Sequence, residues 1–108
     1  MNRGEICLLS FPYIPGREQI GKRPAIVLAD TKTGLIIIIP LTTNLETLKY
    51  PYTLKIKSSQ KNKLENDSVA LIFQLRAIDK RRIIHKIGDL EESILKEIDN
   101  LLRNLLKL

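Results

Sequence analysis

The apolar run GLIIIIPL at residues 34–41 constrains the fold more than any other feature of the sequence. It is too short to cross a bilayer and Pro40 interrupts it, so it is expected to form a buried strand. Segment 52–56, YTLKI, instead alternates apolar and polar residues, which is typical of a half-solvated antiparallel strand. Further strands are predicted at residues 4–11, 24–29, 69–75 and 83–88, with a turn at 30–34 and a short helical or turn segment at 79–82.

The last twenty residues change from strand to helix periodicity. Apolar residues recur at spacings of three and four and form one stripe, which comprises Ile94, Leu95, Ile98, Leu101, Leu102, Leu105 and Leu106. Asp89 stands three residues before Glu92, a pattern that resembles a capping box. Five or six short strands followed by a packed helix predict a small, mostly antiparallel barrel of mainly-β or α+β class, in a single domain spanning 1–108.

Charge and cysteine content indicate the environment and the partners. Residues 1–88 contain 15 Lys and Arg against 7 Asp and Glu, so the basic excess lies in the barrel region and favours a polyanionic partner. A solvated Lys-rich surface is the alternative. The chain has a single cysteine, Cys7, and no apolar export segment at its start, which fits a reducing cytoplasm. With only Cys7 and His85 as soft ligands, a structural zinc site is excluded.

The sequence lacks the usual nucleophile sets, because it contains no Gly-x-Ser-x-Gly elbow and no P-loop. Cys7 is interpreted as a core residue and His85 as a structural or surface residue. Arg23 is the better candidate for chemistry, since it stays charged at all relevant pH values and its planar fork matches phosphate oxygens. Pro24 biases Arg23 to extended angles, and Glu18 in the same loop could accept a proton. The alternative is a salt bridge within the loop.

Two further polar clusters lie at predicted strand ends. The segment PLTTN at residues 40–44 places two hydroxyls at the mouth of a buried strand, although turn or cap chemistry by Thr and Asn is an alternative. The other cluster lies around the segment VALIFQL, which Asp67 and Ser68 precede. A continuous strand there would put Gln74 and Arg76 on one face.

Together these segments resemble the PemK/MazF family, the toxin half of bacterial and archaeal toxin–antitoxin pairs. The matching segments run in order along the chain and comprise RGEI at 3–6, EQIGKRPAIVL at 18–28, PLTTN at 40–44, YPYTLKI at 50–56, DSVALIFQLRAIDK at 67–80 and the IGDL opening of the final helix. The resemblance implies an SH3-like barrel that forms a homodimer. It also implies a metal-independent endoribonuclease that cuts single-stranded RNA, needs no cofactor and is neutralised by an acidic antitoxin.

Carried over by motif, the catalytic residues are Arg23 and Thr42, with Glu18 as a further carboxylate. The resemblance places RNA contacts at Gln19, Lys22, Thr43, Asn44, Asp67, Ser68, Gln74 and Arg76. Two other functions stay open at this point. One is a CcdB-like protein that poisons DNA gyrase, which would not require the Arg-Pro loop and the threonine pair. The other is a noncatalytic barrel that binds nucleic acid.

Overall fold

The computed structural model describes residues 1–11 and 21–108. The elements are β1 (Glu5–Phe11), β2 (Gly21–Asp30), β3 (Leu35–Thr42), β4 (Thr53–Ile56), β5 (Ser68–Leu71), β6 (Arg76–Asp79), β7 (Ile83–Asp89) and α1 (Glu92–Leu106), with 3-10 helices at Leu45–Lys49, Ile72–Gln74 and Lys80–Arg82. The predicted strands other than 69–75, the turn at 30–34 and the final helix are therefore confirmed in kind. None of the described helices is long and apolar enough to span a membrane.

All strand pairs are antiparallel, in the order β4-β5-β3-β2-β1-β7, with β6 also paired to β3. One edge of β3 serves two partners, since its first half pairs with β6 while Leu41 and Thr42 pair with β5. The strands curve into a barrel-like shape. Across the described ranges the ladder does not close, because no pairing joins β7 back to β4 or β6.

Both faces of the central strands are buried, which explains their continuous apolar runs. On one face, Ile26 and Ile39 pack with residues of β4, β5 and the helix, including Ile98. On the other face, Leu9, Ala25 and neighbouring side chains form a second core, which comprises Cys7, Leu9, Phe11, Ala25, Val27, Ile36, Ile38 and Ile78. We call this second face the inner face. It is the face that carries the candidate site.

Two local predictions were wrong. The segment VALIFQL is not one strand, because β5 ends at Leu71 and a 3-10 helix follows. The chain must turn there to leave the end of β3 and pair with its beginning as β6. The backbone N–H groups of Ile72 and Phe73 donate to the Tyr52 carbonyl at 3.0 and 3.3 Å in this turn. Gln74 and Arg76 therefore do not share the face of one strand.

The predicted capping box was also wrong. Asp89 belongs to β7, and its carboxylate lies 3.0 Å from the Lys86 ammonium. Glu91 occupies the cap position of α1, but its carboxylate accepts hydrogen bonds from Ser59 and Asn62 in the loop between β4 and β5 rather than from the helix N-terminus. The sheet extends closer to the helix than the sequence pattern indicated, which removes Asp89 from the cap position.

Candidate functional site

Arg23 and Thr42 lie at the same end of two neighbouring strands. The β2–β3 ladder has Ala25 opposite Pro40 as its final pair. Arg23 precedes Ala25 by two residues and Thr42 follows Pro40 by two, so both residues belong to the inner face, one step beyond that pair. The structure thus brings the two predicted catalytic residues to one location, at the end of the second core where β2 begins and β3 ends. We call this location the mouth.

Local structure holds the Arg23 backbone firmly. Arg23 pairs with Leu9 of β1, and Pro24 pairs with Leu8. Gly21 is the first residue of the strand and has a φ of 85°, a left-handed conformation that residues other than glycine rarely adopt. The extended backbone expected for Arg23 before Pro24 is therefore that of a paired strand.

The Arg23 side chain is half-buried, and its Nε is fully shielded from solvent with no hydrogen-bond partner in the described part of the chain. A buried donor without a partner is costly, at about 1–3 kcal/mol, and more when the group is charged. Few buried polar groups in folded proteins lack a partner, so this one points to a functional role of the Arg23 side chain. The alternative of a salt bridge to Glu18 concerns a residue outside the described ranges, as does the prediction for Gln19.

Thr42 is oriented as a hydrogen-bond donor. Its Oγ1 accepts the Asn44 backbone N–H at 3.2 Å, which leaves the hydroxyl proton available to another acceptor. The Asn44 side-chain oxygen accepts the Glu46 N–H at 3.1 Å and caps the 3-10 helix that follows. The cap chemistry considered for this segment is thus confirmed for Asn44. Thr43, by contrast, is exposed.

Arg76 approaches the same mouth from β6. It pairs with Ile38, and its guanidinium carbon lies 5.3 Å from the centroid of the Phe11 ring. Phe11 pairs with Gly21 while Leu9 pairs with Arg23, so Phe11 and Arg23 are diagonal neighbours on the inner face. Diagonal side chains of this kind are separated by about 7–8 Å. The Phe11 ring therefore contacts the Arg76 guanidinium and lies on the same face of the sheet as Arg23.

Phe11 was missed by the sequence reasoning. The only available signal was its alternation with Cys7 and Leu9, which predicted burial on one face of β1. Its contact with Arg76 depends on the curvature of the sheet and on the β3–β6 pairing. Neither of these is encoded in a local pattern.

The other predicted residues lie apart from this mouth or support loops. Lys22 is exposed on the opposite face of β2 from Arg23, and Gln74 is half-buried in a 3-10 helix. The Asp67 carboxylate accepts the Ser58 N–H at 2.9 Å, which lowers the pKa of Asp67. Ser68 is buried and donates to the Asn66 carbonyl. Asp67 and Ser68 thus stabilise the loop before β5.

The interpretations of Cys7 and His85 are confirmed. Cys7 is fully buried in the second core, and this burial raises the pKa of its thiol, so the reactive thiolate is disfavoured. His85 is exposed on β7. Within residues 1–11 and 21–108, no three His, Cys, Asp or Glu side chains group in a way that could hold a metal ion.

The arrangement suits the binding of an anion such as a phosphate. Arg23 and Arg76 carry permanent positive charge and several N–H donors each, and Thr42 adds a hydroxyl donor. Donors fixed in place before a ligand arrives stabilise developing negative charge without reorganisation. Two guanidinium groups and one hydroxyl at the mouth of an apolar core form such a set.

Comparison with known proteins identifies the class to which this site belongs. A family model described as PemK-like, MazF-like toxin of type II toxin–antitoxin system matches residues 2–106. The chain therefore belongs to this family of toxins, and the resemblance drawn from its motifs is confirmed.

Individual relatives agree with the family. The chain is 34% identical to endoribonuclease MazF of Staphylococcus epidermidis over 107 residues, which covers 94% of this chain and 88% of that protein. Its fold matches a crystal structure of MazF from Deinococcus radiodurans with a TM-score of 0.81 and 27% identity, over 100% of this chain and 97% of the other. A MazE–MazF structure from the same organism gives a TM-score of 0.76 with 26% identity, over 100% and 96%. The expected barrel with a C-terminal helix is thus confirmed as a MazF-like fold.

Proposed function

We propose that this protein is a sequence-specific endoribonuclease toxin that cuts single-stranded RNA, mostly mRNA, without a metal ion. The observation that carries the proposal is the half-buried Arg23, whose shielded Nε has no partner among the described residues and which shares the inner face with Thr42. Membership of the family and the similarity to endoribonuclease MazF support the same activity.

RNA carries its own nucleophile, so the protein need not supply one. The 2′-oxygen attacks the adjacent phosphorus, the bond from phosphorus to the 5′-oxygen breaks, and the products are a 2′,3′-cyclic phosphate and a 5′-hydroxyl. A base takes the 2′-OH proton, and an acid gives a proton to the leaving oxygen. This chemistry needs charge stabilisation and two proton transfers, for which the residues at the mouth are suited.

The roles follow from the donors that each side chain offers. Arg23 stabilises the charge on the pentacovalent phosphorus and helps to protonate the leaving 5′-oxygen. Thr42 donates its free hydroxyl proton to a phosphate oxygen and orients it. Glu18, which lies outside the described residues, or a group on the RNA itself takes the 2′-OH proton. Arg76 adds a second guanidinium at the same mouth.

Neighbouring segments then form the rest of an RNA groove. Thr43 is exposed beside Thr42 and is positioned to contact RNA directly. Asn44, Asp67 and Ser68 act by holding the loops that border the groove. Lys22, Gln74 and the undescribed Gln19 contribute at its periphery.

Regulation follows from charge and from the relatives. The MazF of Deinococcus radiodurans has been solved together with MazE. The basic excess in residues 1–88 favours an acidic, partly disordered antitoxin segment that covers the RNA groove and competes with substrate. We place the active protein in the cytoplasm, as a homodimer.

The class of reaction can be tested with one long transcript and the purified protein. Cleavage in EDTA at discrete positions, with 5′-hydroxyl ends, is expected. A matched RNA with a single 2′-deoxyribose at a mapped cut site should resist cleavage there and still be cut elsewhere. Cleavage that EDTA abolishes, or that proceeds at the deoxyribose, would contradict the proposed chemistry.

A further inference from the structure

Two aromatic side chains lie exposed close to each other. Tyr50 directly follows the 3-10 helix Leu45–Lys49, which begins three residues after Thr42, and Phe73 lies in the 3-10 helix Ile72–Gln74. Tyr50 is 48% exposed and Phe73 is 41% exposed, and their ring centroids are 6.0 Å apart in an edge-to-face arrangement at 61°. The Lys49 ammonium lies 5.4 Å from the centroid of the Tyr50 ring. We call Tyr50 and Phe73 the aromatic pair.

The aromatic pair is held in place by its backbone. The Tyr50 N–H donates to the Thr47 carbonyl at 3.0 Å, and the Tyr50 carbonyl accepts the Thr53 hydroxyl at 2.9 Å. The Phe73 N–H donates to the Tyr52 carbonyl. Both rings are therefore presented to solvent from fixed backbone, which lowers the entropy cost of binding a ligand.

A continuous chain of hydrogen bonds joins this pair to Thr42. The Asn44 N–H donates to the Thr42 hydroxyl, and the Asn44 carbonyl accepts both the N–H and the hydroxyl of Thr47 at 3.1 and 2.8 Å. The Thr47 carbonyl then accepts the Tyr50 N–H. The intervening 3-10 helix has five residues and is about 10 Å long.

Single-stranded nucleic acids are bound by aromatic rings that stack on bases next to cations that meet the backbone. The aromatic pair with Lys49 supplies both, and hydrogen bonds connect its backbone to Thr42, whose hydroxyl is assigned to the scissile phosphate. We propose that the aromatic pair stacks on an unpaired base close to the cut and thereby helps to determine which sequence is cleaved. This inference rests on the proposed endoribonuclease activity.

The test uses purified protein and short single-stranded RNAs that contain a cut site mapped with the wild type. One abasic ribose is placed in turn at each position around the cut. For the wild type, KM should rise at the stacked position. For Phe73→Ala, KM on the intact RNA should rise by about 5- to 100-fold with kcat nearly unchanged. For Phe73→Ala, removal of the base at the stacked position should cause no further rise in KM.

Matched variants separate stacking from folding. Phe73→Tyr and Tyr50→Phe keep the rings and should retain the wild-type KM, while thermal melting checks that every variant folds. Leu35→Ala removes a side chain of similar exposure, 43%, at the opposite end of β3 from Thr42. This variant should change neither KM nor kcat.

Three outcomes would overturn the inference. Phe73→Ala and Tyr50→Ala could keep the wild-type KM while the wild type cuts normally, which removes the stacking role and leaves the proposed function intact. The variants could keep their RNA kinetics but bind a synthetic acidic, Leu-containing peptide more weakly, which would make the pair a protein-docking surface. A wild type that cuts no RNA would overturn the proposed function together with this inference.

Discussion

Two polar regions of this small protein differ in how well their hydrogen bonds are satisfied. At the mouth of the inner face, the buried Nε of Arg23 has no partner in the described ranges and the Thr42 proton is free to be donated. In the loop between β4 and β5, which contacts the start of α1, Asn62 is fully buried. Its side-chain oxygen accepts the N–H groups of Ser59 and Leu64, and its side-chain nitrogen donates to the Lys57 carbonyl and the Glu91 carboxylate. We call the second region the Asn62 anchor.

The difference indicates which region serves stability and which serves a ligand. A buried polar group that is fully satisfied stabilises a loop, whereas one left unsatisfied costs free energy that folding alone does not recover. Gly88 fits the same interpretation, because a Cβ there would lie 2.3 Å from the Asn62 carbonyl oxygen, so the sheet can approach the anchor only at a glycine. Substitutions in the two regions should therefore have opposite consequences.

The largest effect is expected for Arg23→Ala. Removal of a donor that is preorganised to stabilise developing negative charge should raise the activation free energy of the chemical step by about 3–4 kcal/mol, which slows it about 10²–10³-fold. The free energy of unfolding should stay unchanged or rise, because an unpartnered buried donor is lost. Single-turnover cleavage and thermal melting measure the two quantities.

Arg23→Lys is the matched control, since it keeps the charge but cannot reproduce the planar fork. It should recover only part of the lost rate. An Arg23→Ala variant that cleaves at the wild-type rate, or that melts at a much lower temperature, would place Arg23 with the structural residues and remove the contrast between the two regions.

The next effect concerns the Asn62 anchor. Asn62→Ala leaves several buried partners unsatisfied and should lower the free energy of unfolding by about 2–3 kcal/mol. The folded fraction should cleave RNA with an unchanged rate constant, because the anchor lies outside the site. Urea titration with parallel single-turnover assays measures both.

Asn104→Ala provides the control for this change, because Asn104 is exposed on α1 and its loss should be nearly neutral. If Asn62→Ala reduced the cleavage rate of folded protein without lowering stability, the assignment of the anchor to stability would be wrong.

A smaller effect is expected for the contact between Phe11 and Arg76 at the mouth. Phe11→Leu removes the aromatic face beneath Arg76 and should weaken RNA binding by about 1 kcal/mol through loss of the cation–π contact. Arg76→Met should weaken binding as well, and the double variant should lose less than the sum of the two. A double-mutant cycle on RNA affinity measures this coupling. Strictly additive losses would show that Phe11 does not position Arg76.

Local patterns in the sequence predicted most of the secondary structure and the positions of two site residues. Alternating and continuous apolar runs indicated the strands, and the spacing of the tail indicated α1. Arg23 and Thr42 could be placed at strand ends, because Pro24 and the TTN segment mark those ends. The Phe11–Arg76 contact and the break after Leu71 could not be predicted, since both follow from β3 pairing with two strands along one edge. Only the tertiary fold determines that pairing.

The smallest expected effect is the response of the Asn62 anchor to acid. Burial alone would raise the pKa of Glu91, but hydrogen bonds from Ser59, from its own backbone and from Asn62 bring the pKa below its usual value. A carboxylate with a lowered pKa in the folded state stabilises the fold at neutral pH, and this contribution is lost as pH falls through that folded-state pKa. Stability should therefore begin to decline below about pH 4.5.

Asp79 extends this decline, because the hydrogen bonds from Arg81 lower its pKa to about 2. Glu91→Gln keeps an acceptor but cannot titrate, so it should reduce the slope of the upper part of the curve, to which Glu5 with its lowered pKa still contributes, and leave the part near pH 2 unchanged. Urea unfolding at a series of pH values measures the slope. If Glu91→Gln left the whole curve unchanged, the hydrogen bonds at the anchor would not depend on the charge of Glu91, and the anchor would owe its stability to Asn62 alone.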